Sequence, residues 1–382
     1  MYRGYHGKTV MAAIVGRRPV ADGIRVVGGH TDAPRLDLKP RPLYEKSGVV
    51  YFDAHIYGGI KKYQWLVLPL ALYGVVVRKD GTKVEVAVGD APDDPVFMIS
   101  DILPHLGKDQ EKKKVNEFFP AEDLDVIAAL GKKDALVKIL KERYRVDEDD
   151  LLSAELEIVP AGRPREVGLD RALIAAYGHD DRVCAYAALH ALLALKSTPE
   201  TTCSIVMCDK EEIGSMGATG MQSSFFENTV AELLARQGHE SDLAVRRALE
   251  LSTMLSADVT AAADPHFPDV DSTGNEARLG DGPALSKYTG GASKGGASDA
   301  RAEFVAVVRR MMAADKVKWQ MAELGKMEKG GGGTISQYMA RFGMDVIDFG
   351  TPLLNMHAPW ELASKADCYW TYRAYRAYFT GK

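Results

Sequence analysis

Five short stretches carry side chains able to bind a metal ion or move a proton: His30-Thr-Asp32, His179-Asp180-Asp181, Asp209-Lys-Glu211-Glu212, Asp258 and His357. Each lies at or near the end of an apolar run, where open α/β sheets place their functional groups. Imidazole and carboxylate are ligand types for zinc, with manganese or cobalt as substitutes. A pair of such ions about 3.5 Å apart needs one bridging carboxylate and about two further ligands on each ion. His30, Asp180, Glu212, Asp258 and His357 meet that count. Asp180 is the natural bridge, which leaves one histidine and one carboxylate for each ion. Glu211, beside a ligand, is placed to accept a proton from water without binding metal. Asp32, two residues from His30, is placed to take the second imidazole N–H and fix the ligating tautomer.

Each residue taken alone has a plainer reading. A single histidine at a strand end is ordinarily structural or solvent-facing. A Glu-Glu pair ordinarily opens a helix, whose N-terminus favours acids. Asp258, in Leu-Ser-Ala-Asp-Val-Thr, fits an N-cap or turn. His6, His55, His190, His239 and His266 are read as structural, and His179 as facing away from the site. The joint pattern carries the metal reading.

The elements that must position these residues alternate between strand and helix. Residues 23–30 form a β-rich run that ends in glycines. Residues 202–209 are continuously apolar and β-branched, which predicts a central strand covered on both faces. Helices are expected over 182–194, 227–256 and 298–314. The run Gly330-Gly-Gly-Gly333 is expected to turn tightly before a helix at 334–342. Alternation of this kind implies an α/β sandwich with helices on both faces of a sheet. Residues 40–165 differ in character and read as an inserted, mostly β module. It holds strands at 65–77, 84–89 and 156–160, a charged amphipathic helix at 122–145 and a loop at 101–106.

Composition sets outer bounds. The 382 residues are 46% apolar and 26% charged with a net charge of −5, ordinary for a soluble globular protein. No basic block points to nucleic acid, and no apolar run approaches the roughly 20 residues of a membrane helix. The four cysteines show no framework spacing and read as reduced thiols, which implies a cytoplasmic location.

Six ordered motifs give the chain a family resemblance: HTDAPRLDLKP (30–40), YGGIKKYQW (57–65), GHDDRVCAY (178–186), DKEEIGSMGATGMQS (209–223), SADVTAAADP (256–265) and MHAPWELASKAD (356–367). Together they resemble the M18 metallopeptidases, the aspartyl aminopeptidase and aminopeptidase I family, and most closely its bacterial members. The resemblance implies a three-layer α/β/α zinc-peptidase domain (1–38 and 166–382) with an inserted β-rich dimerisation domain (39–165). It implies two zinc ions on His30, Asp180, Glu212, Asp258 and His357, Glu211 as general base, and Asp32 behind the first histidine. It also implies that His105, in LPHL, enters a neighbouring subunit's active site, and that dimers build a dodecamer acting on short peptides. Lys287, in Gly282-Pro-Ala-Leu-Ser-Lys287, stands one position later than the lysine of members that prefer acidic N-terminal residues. Only 29 residues precede His30, fewer than family chains usually carry, and Leu66-Val-Leu-Pro-Leu70 occupies the stretch where many members have Asp-Arg. The leading expectation is removal of the N-terminal residue from peptides. The alternatives are another di-zinc amidohydrolase, such as a carboxypeptidase or deacylase, and a truncated, weakly active or inactive oligomeric zinc-binding relative.

Overall fold

Val26-Val27, Ile205-Val206, Met254-Leu255 and Val346-Ile347 are pairs of adjacent, fully buried residues in four strands. Successive strand side chains point to opposite faces, so these strands must be covered on both sides. Val27, Ile205, Leu255 and Ile347 belong to one apolar core. Val26, Val206, Met254 and Val346 belong to another. The four strands, Cys203–Cys208, Arg25–His30, Thr253–Ser256 and Asp345–Gly350, run parallel in that order.

In the computed structural model, which describes residues 1–381, these strands form the centre of an eight-stranded sheet. Thr9–Ile14 and Tyr2–Tyr5 extend it antiparallel on one side. Ala284–Ser286, antiparallel to Asp345–Gly350, and then Gln320–Met321 extend it on the other. Helices His179–Leu193, Ala302–Ala314 and Lys365–Thr380 supply the core on one face. Phe225–Ala235, Asp242–Glu250 and Ser336–Ala340 supply it on the other. The result is three layers, helix, sheet and helix, as expected. A second sheet of five strands includes Leu173–Ala176, which leads into helix His179–Leu193, and Glu361–Ser364.

The chain divides into two units. One comprises Met1–Ala33, Arg165–Met356 and the chain from Trp360 onward; the other is Pro34–Pro164 with His357–Pro359. The second unit is a six-stranded antiparallel sheet in the order Lys83–Val88, Leu70–Val77, Ala154–Pro160, Arg35–Lys46, Val49–Tyr57, Val126–Leu130. Its separate core is built on Trp65, Leu36, Leu70 and Ile158. An edge at 38/39 would cut the strand Arg35–Lys46, whose first residues already pair with Val49–Tyr57; the division falls before Pro34.

Two expected helices are shorter than their sequence pattern. Of 122–145, only Lys133–Tyr144 is α-helical, because Val126–Leu130 pairs with Val49–Tyr57 and Gly131, at φ +107°, separates the two. The stretch 227–256 holds two helices and a strand. Gly238 in the left-handed region follows the first helix, Ser241 caps the second through the Ala244 N–H, and Thr253–Ser256 enters the sheet. The strand expected from Trp65 begins at Leu70, after a turn at Lys62–Trp65.

Leu255 is fully buried in a central parallel strand. Leu255→Ala is expected to destabilise the protein by about 2–5 kcal/mol in denaturant unfolding. A loss below about 1 kcal/mol would contradict its place in the two-sided core.

Candidate active site

Three chain segments leave the C-terminal edge of the parallel strands close together, and a fourth meets them from the second sheet. His30 ends its strand level with Cys208, and the Thr31 N–H donates to the Cys208 carbonyl at 2.9 Å. Asp209-Lys-Glu211-Glu212 continues directly from Cys208. Ala257 donates its N–H to Gly28 O at 2.5 Å, which delivers Asp258 beside His30. The Asp258 carbonyl runs so close to the neighbouring strand that a Cβ on Gly350 would lie 1.6 Å from it. Asp180 arrives from the second sheet, at the start of helix His179–Leu193, and its N–H donates to the buried Glu361 Oε2 at 3.0 Å.

The side chains converge. His30 Nε2 lies 3.1 Å from Asp180 Oδ1 and 3.9 Å from both Glu211 Oε2 and Asp258 Oδ1. Three groups each have ligand atoms within 4.8 Å of one another: His30, Glu211 and Asp258; His30, Asp180 and Glu212; Asp180, Asp181 and Asp258. His30, Asp180 and Asp181 are buried, whereas the Glu211 and Asp258 carboxylates keep 14% and 11% of their surface open to solvent.

Asp32 does more than the sequence suggested. Its Oδ1 accepts the Glu211 N–H at 3.1 Å and its Oδ2 accepts the Glu212 N–H at 3.2 Å. Oδ1 also lies 3.3 Å from His30 Nδ1, which is 3.0 Å from the Asp32 carbonyl. One buried carboxylate therefore ties the His30 loop to the short helical turn Glu211–Ile213. That turn begins after Lys210 and ends at Gly214, both at positive φ. Behind it, Asp209 Oδ2 accepts from Lys210 Nζ and Thr219 Oγ1, each at 2.7 Å.

With protein charges alone, the cluster holds protons. Burial opposes a charge on His30, but hydrogen bonds to Asp180 and Asp32 outweigh it and raise its pKa well above the usual value. Burial raises Asp258 well above the carboxylate range, aided by Glu211. Burial does the same to Asp181. An acid-rich pocket of this kind suits a divalent cation, which binds by displacing the protons.

The remaining sequence candidates have these surroundings. His357 groups with the inserted unit, its Nδ1 2.9 Å from Gly59 O. His105 sits exposed on the turn Pro104–Leu106 of that unit. Lys287 is not brought to the cluster: its Nζ pairs with Asp299 Oδ1 at 2.8 Å. Ser286 is level with Asp348, Ser256 and Gly28, and its strand runs opposite to theirs. Lys287 therefore sits about 10 Å below His30 along the sheet and about 14 Å across it. His179 turns away, its Nε2 3.1 Å from Ile174 O, and burial lowers its pKa.

A family model described as Aminopeptidase I zinc metalloprotease (M18) matches residues 2–379. The chain belongs to the M18 aminopeptidases. A probable M18 family aminopeptidase 1 of Clostridium acetobutylicum is 49% identical, over 99% of this chain and 83% of the relative. The crystal structure of an M18 aminopeptidase from Thermotoga maritima is 45% identical and superposes with a TM-score of 0.96, covering 100% of this chain and 86% of that one. The S. cerevisiae mApe1 dodecamer shares the fold, at 21% identity and a TM-score of 0.78 over 99% of this chain and 84% of that one. Membership favours a zinc aminopeptidase over the other amidohydrolases.

Two buried acids of this M18 aminopeptidase were given no role by sequence reasoning: Asp181 and Glu361. Asp181 stands beside Asp180 in GHDDRVCAY, and Glu361 stands four residues after His357 in MHAPWELASKAD; that proximity to proposed ligands was the available signal. Gly350→Ala places a methyl on the Asp258 carbonyl. It is expected to cut zinc retention at least severalfold on dialysis. Wild-type zinc content and activity in that variant would show that Asp258 has slack.

Proposed function

We propose that this M18 aminopeptidase holds two zinc ions per chain and uses Glu211 as general base to release the N-terminal residue of short peptides. The observation that carries the reading is the convergence of His30, Asp180, Glu211, Glu212 and Asp258 within overlapping groups 4.8 Å across. Of the three proposed carboxylate ligands, Asp180 is the one that groups with both of the others, Glu212 and Asp258, which supports it as the shared ligand. Glu212 and Asp258 supply the other carboxylates; His357 enters on its sequence motif alone. Zinc bound there supplies Lewis acidity to polarise the scissile carbonyl and offset charge on its oxygen in the transition state.

The chain's own residues handle the proton. The Glu211 carboxylate, which keeps a small opening to solvent, accepts one from the attacking water and returns it to the leaving amine. Asp32 holds the Glu211 and Glu212 amides, so base and ligand keep a fixed spacing. The surplus of carboxylates favours a free α-ammonium over a blocked terminus. Recognition of an acidic N-terminal residue by Lys287 is not part of this reading, because Asp299 neutralises that lysine.

The reading extends to a homo-oligomer in which the inserted unit forms dimers, dimers build a dodecamer, and His105 reaches a neighbouring active site. Exposed Ile102, Leu103 and Leu106 around His105 support burial of that turn against a partner. Four free thiols support a cytoplasmic location, and among the described residues no helix is long and apolar enough to cross a membrane.

Metal analysis of the purified chain is expected to give two zinc ions per chain, and chelation followed by zinc is expected to abolish and restore hydrolysis. Glu211→Gln should keep both ions and lose roughly 10²–10⁴-fold in turnover on aminoacyl p-nitroanilides. Near wild-type turnover in that variant would exclude Glu211 as the base.

A further inference from the structure

Asp181 is an acid too many. The proposed ligand set already counts Asp180, Glu212 and Asp258, yet an oxygen of Asp181 lies within 4.8 Å of oxygens of both Asp180 and Asp258. Its side chain is fully buried. Its Oδ2 accepts the His30 backbone N–H at 3.2 Å, and its Oδ1 has no hydrogen-bond partner among the described residues. A buried carboxylate with an idle oxygen is costly unless an opposite charge compensates it.

The backbone makes room for this acid. A Cβ on Gly29 would stand 2.5 Å from Asp181 Oδ2 and 2.8 Å from the Ala257 carbonyl. Residue 29 therefore has to be glycine for Asp181 to reach the His30 amide. The glycine before the first proposed ligand and the aspartate after the second are a matched pair.

We infer that Asp181 is a positioning residue that tightens zinc binding: it anchors the His30 backbone and adds a buried negative charge that bound cations compensate. The inference rests on the two-zinc reading above. Its cost falls on the metal-free chain, where no cation offsets the burial of this acid beside Asp180 and Asp258. Its benefit appears on loading, as a larger attraction for cations held by the neighbouring ligands. A purely structural anchor would behave differently, stabilising the metal-free and loaded chains alike.

Asp181→Asn separates the two. The amide keeps the shape and retains an oxygen to accept the His30 N–H, but removes the charge. Zinc affinity, measured by competition with a chromogenic chelator, is expected to fall roughly tenfold or more, while the chelator-stripped variant melts above stripped wild type. Asp181→Ala, which also loses the anchor, should weaken zinc at least as much without the gain in melting temperature. The inference is overturned if Asp181→Asn binds zinc within twofold of wild type, or if its stripped form melts at or below wild type. A wild-type chain binding fewer than two zinc ions in the same titration would sink the two-zinc reading, a result separate from the comparison of variants.

Discussion

Six carboxylates crowd one imidazole at the end of the central strands: Asp32, Asp180, Asp181, Glu211, Glu212 and Asp258 around His30. Concentrating that much like charge in a partly buried volume is the constraint on which the rest of the site depends. Acids in such a place must be hydrogen-bonded, protonated or neutralised by a cation. Asp32 is satisfied by two backbone amides, a role that needs no metal. Asp180 groups with Glu212 on one side and with Asp258 on the other, so a cation could be shared within each group. The site is thus a set of hydrogen-bonded carboxylates, Asp32 and Glu361, that hold the backbone of the proposed ligand carboxylates Glu212 and Asp180.

The scaffold is rigid because its parts are anchored by strands rather than by free loops. Arg25–His30 is flanked by parallel partners on both sides. Its last residue is held by the Asp181 carboxylate in front and the Asp32 loop behind. Glycine is used where chain must approach chain. Gly29 admits Asp181, and Gly350 admits the Asp258 carbonyl. Neither position tolerates a side chain unless its neighbours move: the Asp181 carboxylate and Ala257 carbonyl at Gly29, and the Asp258 backbone carbonyl at Gly350.

Much of this was legible in the sequence. Strands such as Val26-Val27 and Ile205-Val206 are apolar at consecutive positions, so two covered faces follow from periodicity alone. The motif order brought out His30, Asp180, Glu211, Glu212 and Asp258 because each sits where such a strand ends. The less legible parts depend on backbone direction. Nothing local in Val126–Leu130 distinguishes the first turn of a helix from an edge strand; pairing with Val49–Tyr57 decides it. Lys287 looked close to a recognition lysine by spacing, but the reversed direction of Ala284–Ser286 carries it away from the active edge. The second task of Asp32 was hidden because its partners are backbone amides 179 and 180 residues away.

Two adjacent acid pairs, Asp180-Asp181 and Glu211-Glu212, show how neighbouring identical residues come to have different tasks. In a regular helix, consecutive side chains are about 100° apart and rarely serve one centre. Here neither pair is in regular helix. Asp180 has φ −78° and ψ 105°, and Asp181 φ −114° and ψ 19°, ahead of the helix proper. Glu211 and Glu212 follow a left-handed Lys210 in a turn of three residues. The irregular backbone aims both members of each pair at the same centre from different angles, so one member can act as a ligand while the other remains beside it. In each pair the backbone is held by a further carboxylate, Glu361 for Asp180 and Asp32 for Glu211 and Glu212. That shared arrangement is why the second member of the first pair, Asp181, is best understood by the same reasoning as Glu211: a residue placed next to the proposed metal ligands to shape what they do.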